Sequence, residues 1–126
     1  MFLMNSLLTI LKTRLNYSSY FIKFDHLQLF EYNISQNIIS ILINKLRLGG
    51  SLVIGLFDIK LLSKLYSDNV IDDTKFLSNI KDIRSIWSID QFNVHLSSNH
   101  KDTEITKIQT DTQQHIIYIT LERKSI

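Results

Sequence analysis

The sequence predicts an α/β fold in which parallel strands are joined by crossover helices, with antiparallel strands toward the C-terminal end. Three observations carry this expectation. Ile38, Ile39, Leu42, Ile43 and Leu46 recur at spacings of three and four, which places one apolar stripe of a helix on a core. Residues 51–57 form a short unbroken apolar run, the pattern of a strand buried on both faces of a parallel sheet. Asp58 then offers an N-cap, and Ile59, Leu62, Leu65 and Tyr66 repeat at helical spacing behind it. Between helix and strand, Gly49-Gly50 reads as a helix stop, with Lys45 and Arg47 favourably placed near the negative end of the helix dipole. In open α/β sheets ligands bind beyond the carboxyl ends of the strands, which here is the corner at residues 56–59.

The remaining elements are read in order. Residues 1–15 carry Phe2, Leu3, Leu7, Ile10, Leu11 and Leu15 on one helical face, so an amphipathic helix is expected there. Residues 20–30 have apolar side chains on both parities and read as a second buried strand, with residues 27–30 as its paired part. Ser35 is the expected N-cap of the following helix. That helix, residues 35–48, would be the right-handed crossover between strands at 27–30 and 52–56. From residue 76 to 87 the apolar spacing is near three, a weaker helical pattern. Residues 91–96 alternate, with Phe92, Val94 and Leu96 opposite Asn93 and His95, and predict a half-buried antiparallel strand. Residues 97–111 are polar and read as an exposed loop, and residues 115–121 as the last strand.

Composition bounds the function. At 126 residues the chain reads as a single domain burying about 65 to 70% of its unfolded surface. A net charge of +2 spread over scattered Lys and Arg gives no basic run of the kind that grips nucleic acid. With no Cys there is no disulfide, no thiolate zinc site and no Cys nucleophile. Pro and Ala are absent too, while Ile, Asn, Lys and Ser abound, as AT-biased coding would produce. The apolar stretch at residues 1–15 is broken by Asn5, Thr9, Lys12 and Arg14, and its basic residues follow the apolar ones instead of preceding them. A cytoplasmic protein without a membrane partner is the expectation.

The usual catalytic constellations are missing. His26, His95, His100 and His115 are not paired at metal-ligand spacing, so no metal site is expected. Ser51 lacks the second glycine of a nucleophile elbow, and Asp72-Asp73 lies in a polar turn with nothing apolar to shift a carboxyl pKa. No catalytic residue is assigned. All three glycines stand at 49, 50 and 55, so residues 1–48 hold no glycine-rich loop of the kind that brings backbone N–H groups to a cofactor.

One segment does resemble a known family. Residues 46–55, Leu-Arg-Leu-Gly-Gly-Ser-Leu-Val-Ile-Gly, resemble the turn and fifth strand of class I S-adenosylmethionine-dependent methyltransferases. The continuation through residue 65, Leu-Phe-Asp-Ile-Lys-Leu-Leu-Ser-Lys-Leu, is most similar to the mRNA cap (guanine-N7) methyltransferase domain of poxvirus-type capping enzymes. Phe24-Asp25 is similar to the opening of that family's fourth strand, so the likeness covers residues 24–66. It implies a partial Rossmann-like methyltransferase sheet, namely the C-terminal half of such a domain. The family's Gln and His-Tyr pair, which serve cofactor and guanine, fall in this register on Phe30, Ile34 and Ser35, and none is retained. Gln28 and the pair Glu31-Tyr32 lie beside those positions and take their place if the register slips. The resemblance thus points to Gln28 and Phe30 for the cofactor and to Glu31, Tyr32 and Asp58 for the substrate. It implies S-adenosylmethionine as cofactor, capped RNA as substrate, and a protein partner or N-terminal half that supplies the missing glycine loop. The alternative is a non-catalytic methyltransferase-like subunit packing on a catalytic partner.

Overall fold

The computed structural model describes residues 19–124, so the helix expected at residues 1–15 lies outside them. Nine elements follow in order: β1 (Ser19–Phe24), a 3-10 turn (Leu27–Leu29), α1 (Tyr32–Lys45), β2 (Leu46–Phe57), α2 (Ile59–Ser67), α3 (Asp73–Ile80), α4 (Ile89–Asn99), β3 (Thr103–Asp111) and β4 (Ile116–Arg123). The sheet runs β1-β2-β4-β3. β1 and β2 are parallel and joined by α1, while β4 is antiparallel to both β2 and β3. The predicted α/β class therefore holds.

One face of this sheet makes the core. Ile22 and Phe24 of β1, Leu52, Ile54 and Leu56 of β2, and Ile119 and Leu121 of β4 are all buried on it. Ile38, Ile39, Leu42 and Ile43 of α1 and Phe92 and Leu96 of α4 cover them. The alternate positions point the other way, as the two-residue strand period requires. There Phe21 is exposed and Lys23 holds its ammonium 4.9 Å from the centre of the Tyr118 ring.

Several expectations are corrected. The paired strand is Ser19–Phe24, not residues 27–30. Asp25 and His26 interrupt it, and Leu27–Leu29 turns tightly through Leu29 N–H to His26 C=O at 3.1 Å. The apolar residues beyond the break are buried by a turn instead of a ladder: Leu27 is fully enclosed. Ser35 is no cap. α1 starts three residues earlier behind Glu31, which makes no side-chain cap bond, and Ser35 sits buried inside it. Its hydroxyl is 3.2 Å from the Leu27 carbonyl and 3.1 Å from the Ser85 hydroxyl, tying turn, helix and the 84–85 segment together.

Gly49-Gly50 does not stop the helix either. α1 ends at Lys45, and β2 runs through both glycines with a break in register between its pairs Ser19↔Leu46 and Phe21↔Ser51. A side chain at Gly50 would begin 2.7 Å from the Ser19 carbonyl oxygen, so glycine lets the irregular stretch pass close to β1.

Residues 91–96 are helical. Phe92 and Leu96 are four apart, a spacing that suits one helix face as well as one strand face, and Val94 between them is exposed. The start is decided by Ser88, whose Oγ accepts from Gln91 N–H at 3.0 Å while Gln91 Oε1 accepts from Ser88 N–H at 3.1 Å. Residues 103–111, expected as loop, form β3, a polar strand because it lies at the exposed edge of the sheet.

Candidate functional site

The carboxyl end of β2 is where the sequence placed a ligand, and a cavity of about 420 Å³ opens there. Its position follows from the chain path. Phe57 ends β2, Asp58 turns into α2 by accepting Leu61 N–H on Oδ1 at 3.1 Å, and the Asp58 N–H donates to His115 C=O at 2.8 Å. The strand end, the helix start and the β3–β4 turn are thereby pinned at one corner. The start of α4 and the residues before it close the cavity from above, and Ile117 of β4 reaches it from the sheet.

Its chemistry is that of an apolar hollow with a charged mouth. Phe57, Ile59, Ile86, Ile89 and Ile117 supply apolar wall. Asp58, Lys60 and Asp90 bring two carboxylates and one ammonium, with Lys60 and Asp90 at exposed positions. Trp87 also lines the cavity, is 3% exposed, and its indole Nε1 is buried without a hydrogen-bond acceptor. Tyr32 stacks on the indole at 4.6 Å, and the rings of Phe92 and His95 meet it edge-on at 5.8 and 5.6 Å.

A second cleft of about 400 Å³ lies between α1 and α4, on the other side of Asp90 and Gln91. Tyr32, Gln36 and His95 line it. Burial lowers the His95 pKa, and it lowers that of His100 too, where His95 and Arg123 add repulsion and Asp102 opposes them. Both imidazoles are thus held toward the neutral form. Among the described residues no group of three His, Cys, Asp or Glu side chains is arranged to hold a metal ion. No helix of the described residues is long and apolar enough to cross a membrane.

The five site residues named from the sequence separate. Asp58 lines the first cavity and Tyr32 the second, with Trp87 between them. Gln28 lies in the 3-10 turn, where its backbone carbonyl accepts from Arg84 and Ser85 and its side-chain Oε1 is buried without a partner. Phe30 is half-buried against the core, its ring 6.2 Å from that of Phe24, and Glu31 is exposed ahead of α1. None of these three lines either opening.

Sequence reasoning missed Trp87 and the Asp25-His26 pair. His26 Nε2 is 3.0 Å from Asp25 Oδ1 at the carboxyl end of β1, beside β2. The signal for Asp25 was the Phe24-Asp25 pair, which closes a strand instead of opening one. The signal for Trp87 was Ser88 with Gln91 three residues later, a helix start that makes the preceding aromatic a fixed residue at a helix entrance.

No family model matches the sequence, and no curated protein matches it. Solved structures share its fold. One is a Bordetella parapertussis protein provisionally named as exported, with a TM-score of 0.64 at 11% identity over 92% of this chain and 42% of that one. Another is provisionally named as an O-methyltransferase, from Nostoc punctiforme PCC 73102, with a TM-score of 0.55 at 8% identity over 90% of this chain and 34% of that one. The chain spans less than half the length of either neighbour. At such identities the likeness is one of architecture: the described residues share the α/β fold of these structures.

Proposed function

We propose that this chain is the acceptor-side half of an S-adenosylmethionine-dependent methyltransferase site, and that a second polypeptide segment completes it. The observation that supports this reading is the cavity at the carboxyl end of β2 in a methyltransferase-like sheet, where the architecture brings ligands. The cofactor supplies an electrophilic methyl group when bound. The described residues do not by themselves fit it: the glycines at 49, 50 and 55 lie within β2, and Lys60 is the one cation at the cavity for a carboxylate. This chain's part is therefore to hold and orient an acceptor and to exclude water, the contribution that positioning makes to a two-substrate reaction.

The similarity of residues 46–65 to cap methyltransferases names the acceptor proposed, the guanine of an RNA cap. Asp58 is the proposed acceptor contact, with Asp25 and His26 at the neighbouring strand end; Tyr32 lines the other cleft, and Gln28 and Phe30 border neither opening. The test is a titration with S-adenosylmethionine followed by a methyl-transfer assay on capped RNA. The chain alone is expected to bind no cofactor, because the contacts it offers do not offset the entropy of association. Micromolar binding by the isolated chain would overturn the need for a second half. Binding of the completing half without methyl transfer would favour the second reading, a non-catalytic subunit. That reading draws on β1, which ends the described sheet and exposes Tyr20 by 67% and Phe21 by 56%.

A further inference from the structure

We propose that α4 is a proton-released cover over the cavity beside Asp58, latched by His95 and His100. The helix is placed for this. Its first turn and the residues before it wall the cavity, while its second half and its C-cap carry the two imidazoles. The His95 ring meets that of Trp87 edge-on at 5.6 Å, and Trp87 belongs to the cavity wall. On the other side, His100 Nε2 stands 3.1 Å from Ser40 Oγ of α1. The two imidazole rings are themselves 5.6 Å apart.

Such a pair suits the neutral form. His95 Nε2 is buried without a hydrogen-bond partner, and Nδ1 lies 3.3 Å from Asn99 Nδ2, a donor held in that orientation by its bond to the His95 carbonyl at 3.1 Å. Neither nitrogen thus faces an acceptor for the second N–H of an imidazolium. Two imidazoliums side by side would also repel, with Arg123 of β4 adding to the repulsion at His100 and Asp102 opposing it. Tyr32 of α1 and Asp90 of α4 are the other titratable groups along the cleft that His95 lines. Burial lowers the pKa of both histidines, in keeping with this geometry. Once α4 lifts, both rings reach water and regain their ordinary value of 6.5, so protons favour the open form as pH falls below it. Phe92 and Leu96, 0% and 2% exposed, hold the helix down, so the open form is a minor one whose population the protons raise. The consequence is acid-gated access to the cavity, which rests on reading that corner as the ligand site.

Hydrogen exchange of the full chain at pH 7.5 and 5.5, corrected for the intrinsic rate at each pH, reads the opening. Two probes serve: the amides of residues 92–96, and the indole N–H of Trp87, the chain's one tryptophan, which is buried without a partner and meets water only when the wall opens. Both are expected to lose protection by about tenfold for each histidine, the factor by which an imidazole of ordinary pKa gains protons over that range when the closed form takes up none. Both are also expected to exchange ahead of residues 39–43 in α1. His95→Gln and His100→Gln should each remove about one such tenfold factor. Unchanged protection of α4 in the unaltered chain, or equal protection of α1 and α4, meaning that they open only together, would overturn the proposal without recourse to any variant. No cofactor enters the measurement. Absence of methyl transfer in the completed complex thus leaves this result standing, and failure of the latch leaves the proposed reaction standing.

Discussion

Gly55 shows how little room one residue has at the candidate site. A Cβ built there lies 3.0 Å from Asp25 Cβ and 3.0 Å from Ile116 Cγ2, so the end of β1 and the start of β4 both press on β2. Gly55→Val is expected to destabilise the fold by about 1–3 kcal/mol through overpacking, read as a lower urea midpoint with an unchanged slope. Arg123 is the counterpart at the other end. It is 5% exposed, its Nε stands 2.8 Å from Asp102 Oδ2 as an ion pair rather than an aligned hydrogen bond, and its Nη1 donates to the Ile43 and Leu46 carbonyls. Arg123→Ala would remove the ion-pair partner of Asp102 and one donor each from the Ile43 and Leu46 carbonyls. Near this pair, His100 Nε2 lies 3.1 Å from Ser40 Oγ, and its ring is 5.6 Å from that of His95. Burial lowers both histidine pKa values, so the unfolded chain binds their protons more readily than the folded one. Their contribution is present above the unfolded value, about pH 6.5, and is lost as pH falls from there through the folded values. Urea midpoints are expected to drop between pH 7.5 and 5, and His95→Gln with His100→Gln to flatten that drop; an undiminished slope in the double variant would refute this origin.

At the level of elements, local capping and packing chose the helix at Ile89–Asn99 over the strand that alternation suggested. Ser88 and Gln91 satisfy two N–H groups that an α-helix leaves open at its start, and Phe92 and Leu96 bury fully or nearly so one turn apart. Ser88→Ala is expected to cost about 1 kcal/mol and to loosen the cavity wall that Trp87 and Ile89 form. The check is amide exchange, with faster exchange at Gln91 and Phe92 than in the unaltered chain. The strand at Thr103–Asp111 was illegible for the opposite reason. Its outward positions face water and its position at the sheet edge leaves most of its inward ones exposed too, so no apolar alternation marks it.

For the molecule as a whole, the telling feature is the sheet margin at β1. Among the described residues β1 pairs only with β2, and Tyr20 and Phe21 are exposed along it. Arg47 lies 3.5 Å over the Tyr20 ring, a cation that covers part of this margin. An open strand flanked by aromatics is a template for association. The isolated chain is therefore expected to self-associate at tens of micromolar, and Phe21→Lys to shift it toward monomer. Light scattering behind size-exclusion chromatography reads both; a stable monomer of the unaltered chain would mean that the margin is already covered.

The α/β class, a parallel pair of strands joined by one helix and the Asp58 cap were legible in the sequence, although the first of those strands is Ser19–Phe24 and not residues 27–30. Each was read from a pattern within a short stretch of sequence: a helical stripe, an apolar run, a carboxylate three residues ahead of an open N–H. The tertiary structure decided the rest. Residues 27–30 are as apolar as a strand, yet they turn, with the Leu27 carbonyl held by the Ser35 and Ser85 hydroxyls from 8 and 58 residues away and its side chain in the core. Trp87 likewise has its place in the cavity wall fixed by Tyr32, which stacks on it from a distant helix. Long-range packing of this kind has no period in the sequence, because the partner that gives a residue its role is brought in by the fold.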